Sequence, residues 1–154
     1  MRSWKSRLRR EDGAALIEAA FTLPILLLVC VGILEFGRAY QTWQVITNAS
    51  REGARVAVLP AYSNASVDAR VRTYLKNGGL PATIVDNTAT THVLITDTTI
   101  PIDAAAATTA PATRVVVEYP FDFMVLQGVA QLVVNGSTAG QAFTMRTTTI
   151  MRNE

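Results

Sequence analysis

Cysteine and histidine are nearly absent from this sequence, with one residue of each in 154. A single cysteine, Cys30, cannot form an intramolecular disulfide, and the apolar run around it offers no partner for metal binding or nucleophilic chemistry. We interpret it as a lipid-facing or helix-packing residue. The only histidine, His92, has no predicted acid or nucleophile beside it. Because the sequence also lacks a phosphate-binding loop and zinc-ligand spacing, we expect no enzyme activity, no metal and no cofactor.

Charged residues are also scarce, at 17% of the chain, where about a quarter is typical of soluble domains. The basic residues are unevenly placed, and five of the fourteen lie in the first ten positions: Arg2, Lys5, Arg7, Arg9 and Arg10. Beyond residue 13 the chain has nine basic and ten acidic residues. The sequence pI near 9.0 therefore comes from a basic leader, residues 1–13, and predicts no nucleic-acid partner.

One long apolar run extends from Ala14 to Phe36 and is interrupted only by Glu18 and Glu35. About 20 apolar residues cross a bilayer, so the run predicts a transmembrane helix over residues 14–37, with Cys30 inside it. Pro24 removes one backbone donor from this helix and predicts a kink or a local loosening. A buried core helix is the alternative, but the rest of the chain is too short to surround such a helix.

The flanks of the apolar run predict its orientation. Basic residues precede it, which favours a cytoplasmic N-terminus and an exported domain over residues 60–154. A cleaved secretory signal peptide is the alternative. Its apolar region usually has 7–15 residues and ends at a small-x-small site, whereas this run is longer and leads into Glu35-Phe36-Gly37-Arg38-Ala39-Tyr40.

Helical periodicity continues past the apolar run over residues 38–59, and Pro60 follows directly. The apolar stripe of this second half comprises Trp43, Ile46, Ala49, Gly53, Val56 and Ala57. The opposite side carries Gln41, Gln44, Asn48, Arg51, Glu52 and Arg55. The pattern predicts one helix from Ala14 to Leu59, about 70 Å long at 1.5 Å per residue, whose amphipathic half supports a globular domain.

A short segment near the end of this helix has two interpretations. Arg51, Glu52, Gly53 and Arg55 would form a docking patch for a partner, because Gly53 permits close approach of another helix. Alternatively, the same residues pack the exported domain against its own stalk, which is the interpretation we favour.

Residues 60–154 combine helical and strand patterns. Residues 66–79 predict a short helix with Ser66 as its N-cap and Gly78 as its stop, and the stripe of this helix comprises Val67, Val71, Tyr74 and Leu75. Runs rich in Val, Ile and Thr predict strands over 92–100, 114–119 and 143–151. The small-residue segment 103–113 predicts a loop, residues 121–134 a short helix or a loop with a strand, and Asn135-Gly136 a turn.

The predicted fold class is therefore α+β. A long N-terminal helix, transmembrane in its first half and amphipathic in its second, packs on a small antiparallel sheet of three or four strands.

The start of the apolar run resembles the prepilin peptidase site of type IV pilins, because Gly13 is followed by five residues of which the fifth is Glu18. The resemblance implies cleavage between Gly13 and Ala14, and glycine leaves that backbone accessible. A carboxylate in a membrane helix is costly without a partner. Cleavage would create that partner, the α-ammonium group of Ala14. The alternative is that Glu18 is an interfacial residue near the cytoplasmic headgroups.

Four segments together resemble the N-terminal signature of the TadE-like family: Gly13 to Glu18, Thr22 to Leu27, Gly32 to Arg38 and Ser50 to Arg55. The resemblance implies a pilin-like pseudopilin that prepilin peptidase processes and that acts in assembly of adhesive Flp pili, the type IV pili of the tight-adherence (Tad) system. Its implied partners are a secretion ATPase, inner-membrane platform proteins and other pseudopilins or Flp pilin subunits.

Two features favour a minor component over the major Flp pilin. Ala19 stands where major Flp pilins usually have tyrosine, and those pilins are very short and lack an outer domain like residues 60–154. The competing interpretation is a signal-anchored envelope binding or sensor module that is never cleaved.

Overall fold

A computed structural model describes the backbone over residues 4–60, 62–103, 108–128 and 140–153. It describes side-chain environments within these ranges from residue 13 onward, except at residue 103. Within these ranges three helices precede three strands. The helices are α1 (Trp4–Ala57), α2 (Asn64–Asn77) and α3 (Ala82–Val85), and the strands are β1 (His92–Asp103), β2 (Thr108–Phe121) and β3 (Phe143–Arg152). The long apolar helix and the small antiparallel sheet confirm the predicted α+β fold.

Helix α1 is one element of 54 residues, about 80 Å long at 1.5 Å per residue. It begins before the predicted start at Ala14, and it ends at Ala57 rather than Leu59. Helical geometry continues through Pro24, so the proline does not end the helix, and a kink there stays a prediction. A final turn, in which Leu59 donates to the Val56 carbonyl at 3.2 Å, brings the chain to Pro60.

The second half of α1 buries a face that differs from the predicted stripe. Ile46, Ala49 and Val56 are buried as expected, but Trp43 is 43% exposed, so its assignment to the stripe was wrong. Thr42 and Ser50 are buried instead. The sheet and α2 pack against the face of α1 that carries Thr42 and Ser50. The small hydroxyl side chains of these residues fit in that contact, whereas the larger Trp43 indole lies outside it.

Helix α2 packs across α1 through Val67, Val71 and Leu75, each at most 1% exposed. Its N-cap is Ser63, whose hydroxyl accepts a hydrogen bond from the Ser66 backbone N–H at 3.3 Å, so the prediction of Ser66 as the cap was wrong. Tyr74 lies at the edge of the stripe and is 37% exposed. Gly78 is the C-cap, as predicted, and Gly79 takes the left-handed conformation with φ of 86° that glycine tolerates.

The strands pair in the order β1-β2-β3, and both pairings are antiparallel. His92 pairs with Glu118 at one end of the first hairpin, and Ile100 pairs with Ala110 towards the other. The prediction of a loop over 103–113 was therefore wrong at Asp103, where β1 ends, and from Thr108 onward, where β2 begins. Pairing with β1 overrides the weak strand preference of the alanines and the proline in this segment. Residues 104–107 of the predicted loop lie outside the described residues.

One face of the sheet rests on α1 and α2 and forms the core. Alternation along β2 places Val115, Val117, Tyr119 and Phe121 on that face, and Met145 of β3 lies beside them. The helices contribute Ile46, Ala49, Ala54, Val67, Val71 and Leu75 to the same cluster.

The segment after β2 was predicted as a short helix or a loop with a strand. Residues 122–125 are irregular and residues 126–128 are helical. The rest of the predicted segment, and the predicted turn at Asn135-Gly136, lie outside the described residues.

Candidate functional site

The predicted cleavage site lies inside α1. Gly13 is half-buried, whereas Ala14 and Glu18 are exposed. The Thr22 hydroxyl donates to the Glu18 carbonyl oxygen at 2.8 Å, so the Glu18 backbone is held in the helix while its side chain projects outward. A Cβ added at Gly13 would meet no described atom within 4 Å.

This geometry bears on how a peptidase could reach the Gly13–Ala14 bond. A protease cuts an extended backbone, so the helix must unwind locally around the bond first. Glycine is about 1 kcal/mol less favourable than alanine inside a helix, so unwinding costs less at Gly13 than at its neighbours.

Downstream of this site, α1 is a candidate membrane anchor. Over Gly13–Ala57 it contains a strongly apolar stretch of which none is buried, and it is the one helix among the described residues long and apolar enough to cross a membrane. Cys30 and Phe36 are exposed along it, as side chains facing a lipid environment would be.

The apolar run meets the globular domain at Glu35, which is only 5% exposed. One carboxylate oxygen, Oε1, accepts a hydrogen bond from the Val125 backbone N–H at 2.7 Å. The other, Oε2, accepts one from Arg38 Nη2 at 3.2 Å. Arg38 Nη2 also donates to the Asp122 carbonyl oxygen. Glu35 and Arg38 thus hold the segment after β2 against the helix, a contact that we call the Glu35 clamp.

Aromatic rings surround the clamp. The Phe123 ring lies 6.1 Å from the Phe36 ring and 5.2 Å from the Phe121 ring, both edge-on. The Phe143 ring completes the group, 5.7 Å from that of Phe121. The Arg38 guanidinium carbon lies 4.9 Å from the centre of the Phe121 ring, a geometry that adds a cation–π attraction.

The segment predicted either to dock a partner or to pack the domain has both buried and exposed members. Gly53 is buried, and a Cβ added there would lie 2.5 Å from Val71 Cγ2 and 3.3 Å from Val115 Cγ1. Arg51 and Arg55 are exposed on the other side of the helix. Gly53 therefore contacts α2 and β2 of its own chain, while the two arginines stay accessible.

Glu52 links this segment to α2. Its Oε1 accepts hydrogen bonds from Arg70 Nε at 3.2 Å and Nη2 at 2.9 Å, and Arg55 Nε donates to its Oε2 at 3.2 Å. The Arg70 hydrogen bonds, followed by those of Arg55, lower the pKa of the Glu52 carboxyl. Arg51 instead donates to Asn48 Oδ1 at 3.4 Å, so it lies outside this network.

A third contact joins α1 to the sheet. The Ser50 hydroxyl donates to the Thr47 carbonyl at 2.9 Å and lies within hydrogen-bonding distance, 2.8 Å, of Thr149 Oγ1. Thr147 Oγ1 lies 3.4 Å from it. The Thr47 hydroxyl is buried with no hydrogen-bond partner among the described residues.

Sequence reasoning missed the Glu35 clamp and the Ser50 contact. The available signal for the clamp was a carboxylate at the end of an apolar run, which requires a partner, but nothing local identified residues 122–125 as that partner. Among the described residues, no three His, Cys, Asp or Glu side chains lie close enough to hold a metal ion.

One comparison with known proteins found a match, which covers the first part of the chain. Residues 13–55 match the family model described as TadE-like protein. The comparisons with curated proteins and with solved structures found no match. The family match begins at Gly13 and spans all four signature segments, so the similarity to TadE-like proteins covers residues 13–55, which form most of α1.

Proposed function

We propose that the chain is a minor pseudopilin of a Tad (Flp) pilus, cut by prepilin peptidase between Gly13 and Ala14 and active in pilus assembly and surface adherence. It is held in the bacterial inner membrane by residues 14–37, with the leader in the cytoplasm and residues 60–154 outside. Its partners are other pseudopilins or Flp pilin subunits and the inner-membrane platform proteins.

The observation that carries the proposal is where the TadE-like match begins. It starts at Gly13, the residue on the N-terminal side of the proposed cut, and the exposed apolar side chains of α1, from Leu16 to Leu34, lie directly downstream. Cleavage at that point would leave a new α-ammonium group on Ala14, one helical turn from Glu18. Two such subunits could pair these charges between them, so that neither subunit carries an unpaired charge out of the bilayer.

The test is the mass of the mature chain. The full chain is expressed with and without an active prepilin peptidase, and intact mass and N-terminal sequence are measured. We expect loss of residues 1–13 and a new N-terminus at Ala14, only when the peptidase is active.

A matched pair of variants makes the test specific. Gly13→Val places a β-branched side chain at the cut and should block it, whereas Gly32→Val should be cleaved normally. An added Cβ meets no described atom within 4 Å at either glycine, so the two positions are matched in the space that they offer a first side-chain atom. A full-length product in the presence of active peptidase would contradict the proposal and favour an uncleaved, signal-anchored envelope binding or sensor module.

A further inference from the structure

An apolar surface of the globular domain lies directly beside the end of the apolar run. In the segment that follows β2, Met124 is 76% exposed and Val125 is 45% exposed. Phe36 of α1 is 63% exposed, and its ring contacts that of Phe123, the residue before Met124. Large exposed apolar side chains that lie together rather than singly mark an interaction surface.

The position of this surface along α1 indicates its depth in a bilayer. A hydrocarbon core about 30 Å thick takes about 20 helical residues, which run from Ala14 to Ile33. Glu35 and Phe36 then lie at the outer edge of that core. Phe123 and Val125 contact these two residues, so the segment lies at the same depth as the outer boundary of the hydrocarbon.

The Glu35 clamp gives polar backbone groups of this segment hydrogen-bond partners within the protein. A backbone N–H or carbonyl that enters lipid must have a partner within the protein, because no water is available there. The Val125 N–H donates to Glu35, and the Asp122 carbonyl accepts from Arg38. Both backbone groups are therefore satisfied by side chains of α1, which lowers the cost of bringing this irregular segment to the bilayer.

We propose that residues 121–126, which we call the foot, rest in the boundary between headgroups and acyl chains of the membrane from which α1 emerges. The side chains of Met124 and Val125 contact lipid. Lipid covers this surface because the foot is continuous with the exposed apolar side chains of α1. Among these side chains, Ile33 is 67% exposed and Leu34 is 74% exposed. The foot would fix the height and tilt of the globular domain above the membrane.

This inference goes beyond the proposed function. It requires that α1 anchors the chain in a membrane, and it requires neither cleavage nor a pilus.

The experiment measures the depth of single labelled positions. The full chain carrying Cys30→Ser is given one new cysteine, Met124→Cys, labelled with nitrobenzoxadiazole, and reconstituted into vesicles of phosphatidylethanolamine and phosphatidylglycerol. The matched control is Ile150→Cys, also on an exposed apolar residue. Ile150 pairs with Arg114, seven residues along β2 from Phe121, so it lies about 23 Å farther up the sheet at 3.3 Å per residue.

We expect the Met124 label to emit at shorter wavelength than the Ile150 label. Phospholipids that carry a doxyl group near the headgroup should quench the Met124 label severalfold more strongly than the Ile150 label. Equal emission and equal quenching at the two positions would overturn the inference. A blue-shifted Met124 label that doxyl lipid does not quench would overturn it as well, because protein rather than lipid would then cover the foot.

Vesicle flotation distinguishes this failure from failure of the proposed function. If the chain does not float with the vesicles, the membrane anchor on which both rest is contradicted. If it floats and the Met124 label stays in water, only the foot is contradicted. Near-UV circular dichroism of the labelled chains, compared with that of the Cys30→Ser chain, checks that the fold is intact.

Discussion

Gly53 on α1 faces Val71 on α2 so closely that a Cβ on the glycine would lie 2.5 Å from Val71 Cγ2. Val71 is fully buried, and its β-branched side chain has little freedom to rotate away. The crossing of the two helices therefore depends on the missing side chain at Gly53.

Gly53→Ala should destabilise the domain. Overpacking a tight core costs about 1–3 kcal/mol, which exceeds the gain of at most about 1 kcal/mol from replacing glycine in a helix. Thermal unfolding of the full chain in detergent micelles, followed by near-UV circular dichroism, measures the change. Gly37→Ala is the control, because an added Cβ there meets no described atom within 4 Å.

A double variant tests the stated cause of that loss. If Val71 Cγ2 is the obstacle, Val71→Ala should cost less in the Gly53→Ala chain than in the original chain. Equal costs in the two backgrounds would show that the glycine acts in some other way.

Removing the Ser50 hydroxyl should lower the stability of the domain, whereas removing the Thr47 hydroxyl should not. Ser50 is fully buried and lies 2.8 Å from Thr149 Oγ1, so Ser50→Ala should cost about 1 kcal/mol. Thr47→Val removes a buried hydroxyl without a described partner and keeps the shape of the side chain, so stability should stay equal or rise. Midpoints of denaturant unfolding compare the two variants, and a loss on Thr47→Val as large as on Ser50→Ala would contradict this account.

Stability should fall in acid partly through Glu52. The Arg70 and Arg55 hydrogen bonds lower the pKa of its carboxyl below the usual 4.5, so the folded state releases this proton more readily than the unfolded state. The contribution is complete above the unfolded-state pKa and is lost as the pH falls through the lowered folded-state value. Unfolding midpoints measured from neutral pH down to about pH 3 follow this loss, because this range extends from well above the usual Glu pKa to well below it.

Two arginine variants test which arginine is responsible for the loss of stability in acid. Arg70→Gln removes the largest cause of the lowered pKa and should flatten the acid limb of the stability profile. Arg51→Gln removes the same charge from a residue that bonds Asn48 instead, and it should leave the acid limb unchanged. Equal profiles for both variants would contradict the role of Arg70.

Removing the Glu35 carboxylate should free the segment after β2. In Glu35→Ala the Val125 N–H loses its acceptor, and a hydrogen bond to a charged group is worth about 1.5–3 kcal/mol. The fraction of molecules in which this segment is open should therefore rise roughly ten- to hundredfold. Amide hydrogen exchange at Val125, measured by nuclear magnetic resonance in micelles, should speed up accordingly. Glu118→Ala is the control, because Glu118 pairs with Arg146; equal acceleration in both variants would show general loosening.

If the proposed function holds, Glu18→Gln should separate cleavage from assembly. The variant keeps the size of the side chain and removes its charge, so residues 1–13 should still be lost, while the Ala14 α-ammonium of a neighbouring subunit would have no carboxylate to pair with. Crosslinking to co-expressed Flp pilin in isolated membranes should fall. Glu11→Gln, within the leader that cleavage removes, should crosslink like the original chain, and undiminished crosslinking of Glu18→Gln would contradict the charge pairing.

Much of the architecture could be predicted because its causes are local. An unbroken apolar run, an amphipathic continuation, Pro60 after the helix and Gly78 after the next helix each act within a few residues of their own position. The β-branched runs that form most of the three strands are equally local. The resemblance at residues 13–55 also depends only on residues in sequence, and the family match confirms it.

The errors arose where distant segments decide the outcome. Periodicity indicates that a helix has an apolar face, but only the placement of the sheet shows that Trp43 lies beside it and Ser50 within it. The segment from Thr108 to Thr113 has weak strand preference, yet it extends β2 because β1 supplies hydrogen-bond partners along it.

The order of the residues was enough to predict an apolar helix able to anchor the chain in a membrane and a small mixed domain beyond that helix. Tertiary structure alone decided what the buried carboxylate at the end of the apolar run does. Glu35 and Val125 are 90 positions apart, and a hydrogen bond between such distant groups forms only after the sheet has folded onto α1 and brought them together. The sequence contains both partners, but the free energy that joins them comes from the packing of the whole domain.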